Sequence, residues 1–158
     1  LPMGQTPIEG WHLSSGVLRS PEGAGPHTLR RQGASLGEVL LSVRVYPTRR
    51  PGDVVAIVYG IQDAKNHYRA ELYPGSQVAR IVRVLDGVEG LVAERTNLSL
   101  SPRGWMTLNL DWREGQHRLD LGNQHLVKGH DLTFVRGDIA LQVSGHQAAI
   151  FDSVFTTP

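Results

Sequence analysis

The sequence predicts an all-β chain folded as a two-sheet antiparallel sandwich, on the strength of period-two alternation, turn chemistry between the alternating runs, and the lack of a helical stripe. Between Glu38 and Tyr46 one face carries Val39, Leu41, Val43 and Val45, while Glu38, Ser42 and Arg44 share the other. From Trp105 to Trp112 the inward set is Met106, Leu108, Leu110 and Trp112, against Thr107, Asn109 and Asp111. Successive strand side chains point to opposite faces, so both runs read as half-buried strands.

The same pattern gives further strands at Trp11 to Leu13, Val17 to Arg19, His27 to Arg31, Asp53 to Tyr59, His67 to Tyr73 and Val78 to Leu85. Val88 to Arg95, Gln116 to Leu121, Gln124 to Val127, Asp138 to Val143 and Ala148 to Thr156 complete the set. Ser14-Ser15-Gly16, Pro74-Gly75-Ser76, Asp86-Gly87, Glu114-Gly115, Gly122-Asn123 and Ser144-Gly145 separate these runs with positive φ or side-chain turn bonds. Pro51-Gly52 fits a tight turn, and Gly137 is small enough to admit a neighbouring strand at close range. Asp63 to His67 and Thr96 to Pro102 lack an apolar stripe long enough to dock a helix, so both are expected to be loops. Pro21 to Pro26 reads as a mobile Gly- and Pro-containing loop.

With 158 residues, 40% hydrophobic and 20% charged, the chain suits one domain spanning 1–158 that buries a continuous core. The net charge of +1 supplies no field for nucleic acid, and Arg30-Arg31 and Arg49-Arg50 read as solvated turns. The absence of cysteine excludes disulfides, zinc-thiolate sites and thiol nucleophiles. No apolar run reaches the length of a membrane span, and Leu1-Pro2-Met3-Gly4 resembles neither a signal peptide nor a natural start. The expectation is a processed chain or a domain cut from a longer protein, compatible with an extracellular or cell-surface location. Oligomeric state is left open.

Several segments, taken in order, resemble a known family. They are Asp63-x-x-Asn66-His67-Tyr68-Arg69, Arg83-Val84-Leu85-Asp86-Gly87, Leu91-Val92-Ala93-Glu94, Gly104-Trp105-x-x-Leu108, Gly137 to Leu141 and Phe151 to Val154. Over residues 38 to 156 this order resembles concanavalin A-like domains of the laminin-G-like kind, which implies a jelly-roll sandwich. It is also similar to the family of 3-keto-disaccharide glycoside hydrolases, whose longer N-terminal region is abbreviated here to Trp11 to Leu18. The matching residues have physical roles that need no ligand: Asp86-Gly87 suits a type I′ hairpin, and Trp105, Tyr68 and Phe151 are large enough to dominate packing.

Candidate chemistry follows from which polar groups share a face. His67, Arg69, Glu71 and Tyr73 alternate along one strand and Arg44 and Tyr46 along another; side by side, the two would form a ligand-binding patch of charged and aromatic groups suited to carbohydrate. A non-catalytic binding module, using that face or the end loops, is the leading reading. The first alternative is a glycoside hydrolase, which needs two convergent carboxylates, and Glu71 and Glu94 are the pair on hand. The second is a structural or adhesive domain that contacts a partner through an exposed edge strand. By analogy with related sandwiches, Glu9 and Asp152 are the candidate ligands for a structural calcium ion, with Asp63 and Asn66 as a second loop position.

The seven histidines show no paired metal-ligand spacing and read as scattered surface residues. Gly-x-Ser-x-Gly and Gly-x-x-x-x-Gly-Lys are both absent, which removes the usual serine-hydrolase and phosphate-loop signatures. Asn97-Leu98-Ser99 is a glycosylation sequon, meaningful only in a eukaryotic secretory pathway.

Overall fold

The computed structural model describes residues 12–14, 17–19, 27–46, 50–100, 105–144 and 150–157, with side chains placed at 28, 36–45, 50–100 and 105–142. Every described element is a strand. In chain order they are β1 (His12–Ser14), β2 (Val17–Arg19), β3 (His27–Leu36), β4 (Val39–Tyr46), β5 (Val54–Asp63), β6 (Asn66–Tyr73), β7 (Val78–Leu85) and β8 (Val88–Arg95). Then come β9 (Met106–Arg113), β10 (Gln116–Leu121), β11 (Gln124–His130), β12 (Gly137–Ser144) and β13 (Ile150–Thr157). They form two antiparallel sheets, a seven-stranded one in the order β1-β2-β13-β4-β9-β10-β11 and a six-stranded one in the order β3-β12-β5-β6-β7-β8. The loop expected at Pro21 to Pro26 lies outside the described residues.

The core sits between the sheets and is built by the alternation that the sequence displays. Val39, Leu41, Val43 and Val45 of β4 and Met106, Leu108, Leu110 and Trp112 of β9 face Val55, Ile57 and Tyr59 of β5 and Tyr68, Ala70 and Leu72 of β6. Burying one such aliphatic side chain contributes about 1.5–3 kcal/mol, so this interior is the main favourable term of folding. Thr96 to Leu100 is a loop, as expected, and it docks: Gln77 accepts from the Leu98 amide through its carbonyl (3.0 Å) and from the Leu100 amide through its side chain (2.9 Å). Leu98 and Leu100 thereby close one end of the core.

Three strands run three or more residues further than alternation indicates. β3 continues to Leu36 because Gly137 of β12 stands opposite it after a register shift, and β5 continues to Asp63 because Asp138 of β12 stands opposite Ile61 and, past a shift in the ladder with β6, Asp63 pairs with Asn66. β11 continues to His130 because Lys128 and His130 pair with Arg118 and Gln116 of β10, although Lys128-Gly129-His130 has no apolar face to reveal it. Two expectations about backbone hold. Asp86 and Gly87 have φ of 51° and 78°, the conformation of a type I′ turn, and join β7 to β8. At Gly137 an added Cβ would lie 2.4 Å from the Gly60 carbonyl carbon and the Ile61 nitrogen, so β12 reaches β5 only because this residue has no side chain.

Candidate functional site

The outward face of the six-stranded sheet carries a row of polar groups arranged by strand register. Glu71 of β6 stands opposite Arg80 of β7, which stands opposite Glu94 of β8; one step along, Arg69 lies beside Val82 and Leu91, and His67 beside Val84 and Glu89. Ion pairs tie the row together. Arg69 Nε donates to Glu71 Oε2 (3.1 Å) while its Nη2 donates to Glu89, and Tyr73 donates its hydroxyl to Glu71 Oε1 (3.2 Å). Arg80 donates to Glu94 (2.5 Å) and lies over the Tyr73 ring at 5.2 Å.

Glu71 is only 6% exposed, and a carboxylate that deep is tolerable because both oxygens receive hydrogen bonds. Burial alone would weaken the Arg69 charge, but the contacts to Glu89 and Glu71 more than offset it and raise its pKa. Burial, and then the neighbouring Arg69, push the His67 imidazole below its ordinary range, so it is neutral near pH 7. Burial and Glu71 raise the Tyr73 hydroxyl, which keeps it a donor. The surface thus offers fixed, charge-assisted donors and acceptors flanked by apolar Val82, Val84 and Leu91.

The expected patch is divided between the two surfaces of the molecule. His67, Arg69 and Glu71 share the face just described, but Arg44 and Tyr46 belong to β4 in the other sheet. Because β4 and β6 both turn their apolar sides to the same core, their polar sides point away from each other. Arg44 instead lies over the ring of Trp105 at 5.0 Å, and Trp105, read as large enough to dominate packing, is 37% exposed just before β9. The Tyr46 side chain lies outside the described residues.

Glu71 and Glu94 lie two strands apart with Arg80 between them, each in its own ion pair. Two strand spacings amount to about 9–10 Å between backbones. Retaining glycosidases need carboxylates about 5–5.5 Å apart. The arrangement is therefore a salt-bridged ladder, not the convergent pair that the hydrolase alternative requires.

Glu9 lies outside the described residues. Asp152 is placed on β13 opposite Arg44, with its side chain likewise outside them. Among the described residues no group of three or more His, Cys, Asp or Glu side chains could hold a metal. Asp63 caps its own turn, accepting from the Lys65 amide (2.8 Å) and the Asn66 side chain (3.0 Å), bonds that lower its pKa.

Sequence reasoning missed a buried polar network at the centre of the molecule. His117, taken as a surface histidine, is fully buried on the inward side of β10. Its Nε2 lies 2.9 Å from the Asp131 carbonyl, which can only accept, so Nε2 carries the proton and Nδ1 accepts from the Tyr59 hydroxyl at 2.8 Å. Tyr68 donates to Asp131 Oδ1 (2.5 Å), and Arg83 holds Oδ2 (3.0 Å). Burial alone would raise the Asp131 carboxyl, but the Tyr68 and Thr133 hydroxyls, the Thr133 amide and Arg83 bring it down to about 2. Burial lowers the His117 pKa. The network joins β5 and β6 of one sheet to β10 of the other and fastens the 131–136 segment over them. Its signal in the sequence was the position of His117, between outward Gln116 and Arg118 and in phase with Leu119.

Strand order, register and core together define an antiparallel jelly-roll sandwich of the galectin-like type. Among solved structures it is similar to the carbohydrate-binding module CBM66 from Bacillus subtilis, at 17% identity and a TM-score of 0.78, over 99% of this chain and 93% of that one. A prokaryotic β-1,3-1,4-glucanase from a mouse hindgut metagenome aligns at 15% identity and TM-score 0.68, covering 94% and 83% of the two chains. The Caenorhabditis elegans galectin LEC-6 aligns at 14% and 0.62, covering 93% and 100%. At these identities the likeness is one of fold. No protein-family model and no curated protein sequence matches the chain.

Proposed function

We propose that this chain is a non-catalytic carbohydrate-binding module, acting outside the cell or at its surface, that takes neutral saccharides on the outward face of β6, β7 and β8. The observation that carries the reading is the Arg69 guanidinium, half-buried and held between Glu71 and Glu89 beside a second ion pair, Arg80 with Glu94. Paired groups of this kind are pre-oriented, and they donate to and accept from sugar hydroxyls without first paying an ordering cost. Arg69 and Arg80 are matched against Glu71, Glu89 and Glu94, so the face has a surplus of negative charge and favours uncharged ligands. Leu91, exposed next to Val82 in the row that carries Arg69, provides apolar area for the C–H face of a sugar ring. The fold supports the same reading, since its structural neighbours include a protein named as a carbohydrate-binding module and a galectin.

The test is calorimetric titration of the protein with a panel of neutral oligosaccharides, repeated on Arg69→Ala and Glu89→Gln. Loss of one charge-assisted hydrogen bond costs about 1.5–3 kcal/mol, which is roughly a 10–100-fold weakening. Glu89 is 63% exposed, so its substitution should leave the fold intact and separates lost binding from lost structure. Failure of every saccharide to bind, or binding indifferent to both substitutions, would count against the proposal.

A further inference from the structure

The outward face of the seven-stranded sheet has the opposite electrostatic character and its own concavity. Register aligns Leu40, Asp111, Arg118 and Lys128 in one row across β4, β9, β10 and β11, and Ser42, Asn109, Asp120 and His125 in the next. Arg118 separates two depressions on this face. The smaller, about 300 Å³, is lined by Leu40, Ser42, Asn109, Asp111 and Asp120 together with Arg118. The larger, about 470 Å³, is lined by Gln116, Arg118, Lys128 and His130 over the floor formed by His117 and Gly129.

The cations of the larger depression are arranged at a cost to the sheet. Arg118 and Lys128 are direct cross-strand partners, and like charges so placed destabilise an antiparallel pair. Arg118 turns along its own strand to Asp120 at 3.1 Å, and Asp111 is taken by Arg113 at 2.8 Å. Among the described residues no carboxylate pairs with Lys128 or His130. The smaller depression has the opposite composition. Ser42 donates to Asn109 Oδ1 at 2.5 Å, which leaves the Asn109 amide hydrogens facing the groove beside the Asp120 and Asp111 acceptors. An anion-accepting compartment therefore adjoins one suited to hydroxyl groups.

We propose that this face is a second ligand site, independent of the β6–β8 surface, and that it takes an acidic saccharide. Ring hydroxyls lie among Ser42, Asn109 and Asp120, and the carboxylate or sulfate lies at Arg118 and Lys128. Each polar group then meets its complement: amide and hydroxyl donors with sugar oxygens, carboxylates with sugar hydroxyls, and the unpaired ammonium with the anion.

The experiment is a backbone-amide NMR titration with a galacturonic acid trimer and with a sulfated heparin-type oligosaccharide. A neutral galactose trimer, inorganic sulfate and single-stranded DNA of matched charge are run alongside. At least one acidic saccharide should shift the amides of Asn109, Arg118 and Lys128, and bind at least tenfold more weakly to Arg118→Gln and to Lys128→Gln. Binding should also weaken as salt rises, while Glu89→Gln should bind it unchanged. No response to either acidic saccharide, or shifts confined to β6–β8, overturns the proposal. So does equal affinity for the neutral trimer, for sulfate or for DNA. The neutral-saccharide test of the β6–β8 surface relies on different residues and ligands, so the two proposals can fail separately.

Discussion

Replacing Tyr59 with phenylalanine tests whether the buried network holds the two sheets together. The change removes one hydroxyl and keeps the ring, so the aromatic contacts of Tyr59 with Tyr68 and Trp112, both at 5.3 Å between centroids, survive. What is lost is the 2.8 Å hydrogen bond to His117, and the Nδ1 acceptor is left without a donor in a place water does not reach. An orphaned buried polar group costs about 1–3 kcal/mol. In a domain of this size each kcal/mol shifts Tm by about 2–4 °C, so the variant should melt between about 2 and 12 °C lower. Urea denaturation at pH 8, where His117 is neutral in both folded and unfolded chains, measures the difference directly. Tyr73→Phe is the comparison: it leaves one oxygen of the buried Glu71 carboxylate without its donor, a loss of about 1–3 kcal/mol that does not touch the contact between the sheets. If Tyr59→Phe is as stable as the parent to within about 0.5 kcal/mol, the network is not holding the sheets together and the argument fails.

Two further outcomes are expected. Because burial lowers the pKa of His117 in the folded chain, the unfolded chain binds more protons below the unfolded value of about 6.5. Stability should therefore be full above that pH and fall as the solution is acidified, until the folded pKa is passed. His117→Gln should flatten this slope in urea melts at pH 5, 6, 7 and 8, apart from the contribution of His67, which shifts in the same direction. Gly137→Ala should destabilise by about 3 kcal/mol or more, since its methyl would meet backbone atoms at 2.4 Å that cannot move without separating β12 from β5. Gly87→Ala, whose methyl meets only the Lys65 side chain at 3.8 Å, should cost about 1–2 kcal/mol from its positive φ alone. Equal losses for the two would refute the close-approach reading.

β4 and β9 were legible because their burial follows the alternation residue by residue, whereas β5 is buried at every position from Val55 to Ile61 and was legible by its apolar run instead. Strand ends were not legible where pairing slips, since the shifts between β12 and its neighbours leave no mark on apolar periodicity. The candidate site was legible one strand at a time. His67, Arg69, Glu71 and Tyr73 do share a face, and period two requires it. That β4 belongs to the opposite sheet could not be read from the same rule, because sheet membership is decided by long-range pairing. Arg44 was therefore joined to residues that it cannot reach. His117 was misplaced for another reason: a histidine among charged neighbours looks solvent-facing by composition, while its phase with Leu119 pointed inward and was the better guide.

The sheet orders bear on how the chain can be made. Among the described residues β12 is the strand that hydrogen-bonds to both β3 and β5, and β13 likewise joins β2 to β4. A nascent polypeptide that has emerged only as far as Arg136 therefore holds both sheets in two pieces, with hydrogen-bonding edges bare on β3, β5, β2 and β4. Closure waits for translation to deliver both inserts, and pairings this distant in sequence form slowly. Shortening the chain from that side would cut through the middle of each sheet, so the last strands act as keystones and not as trim.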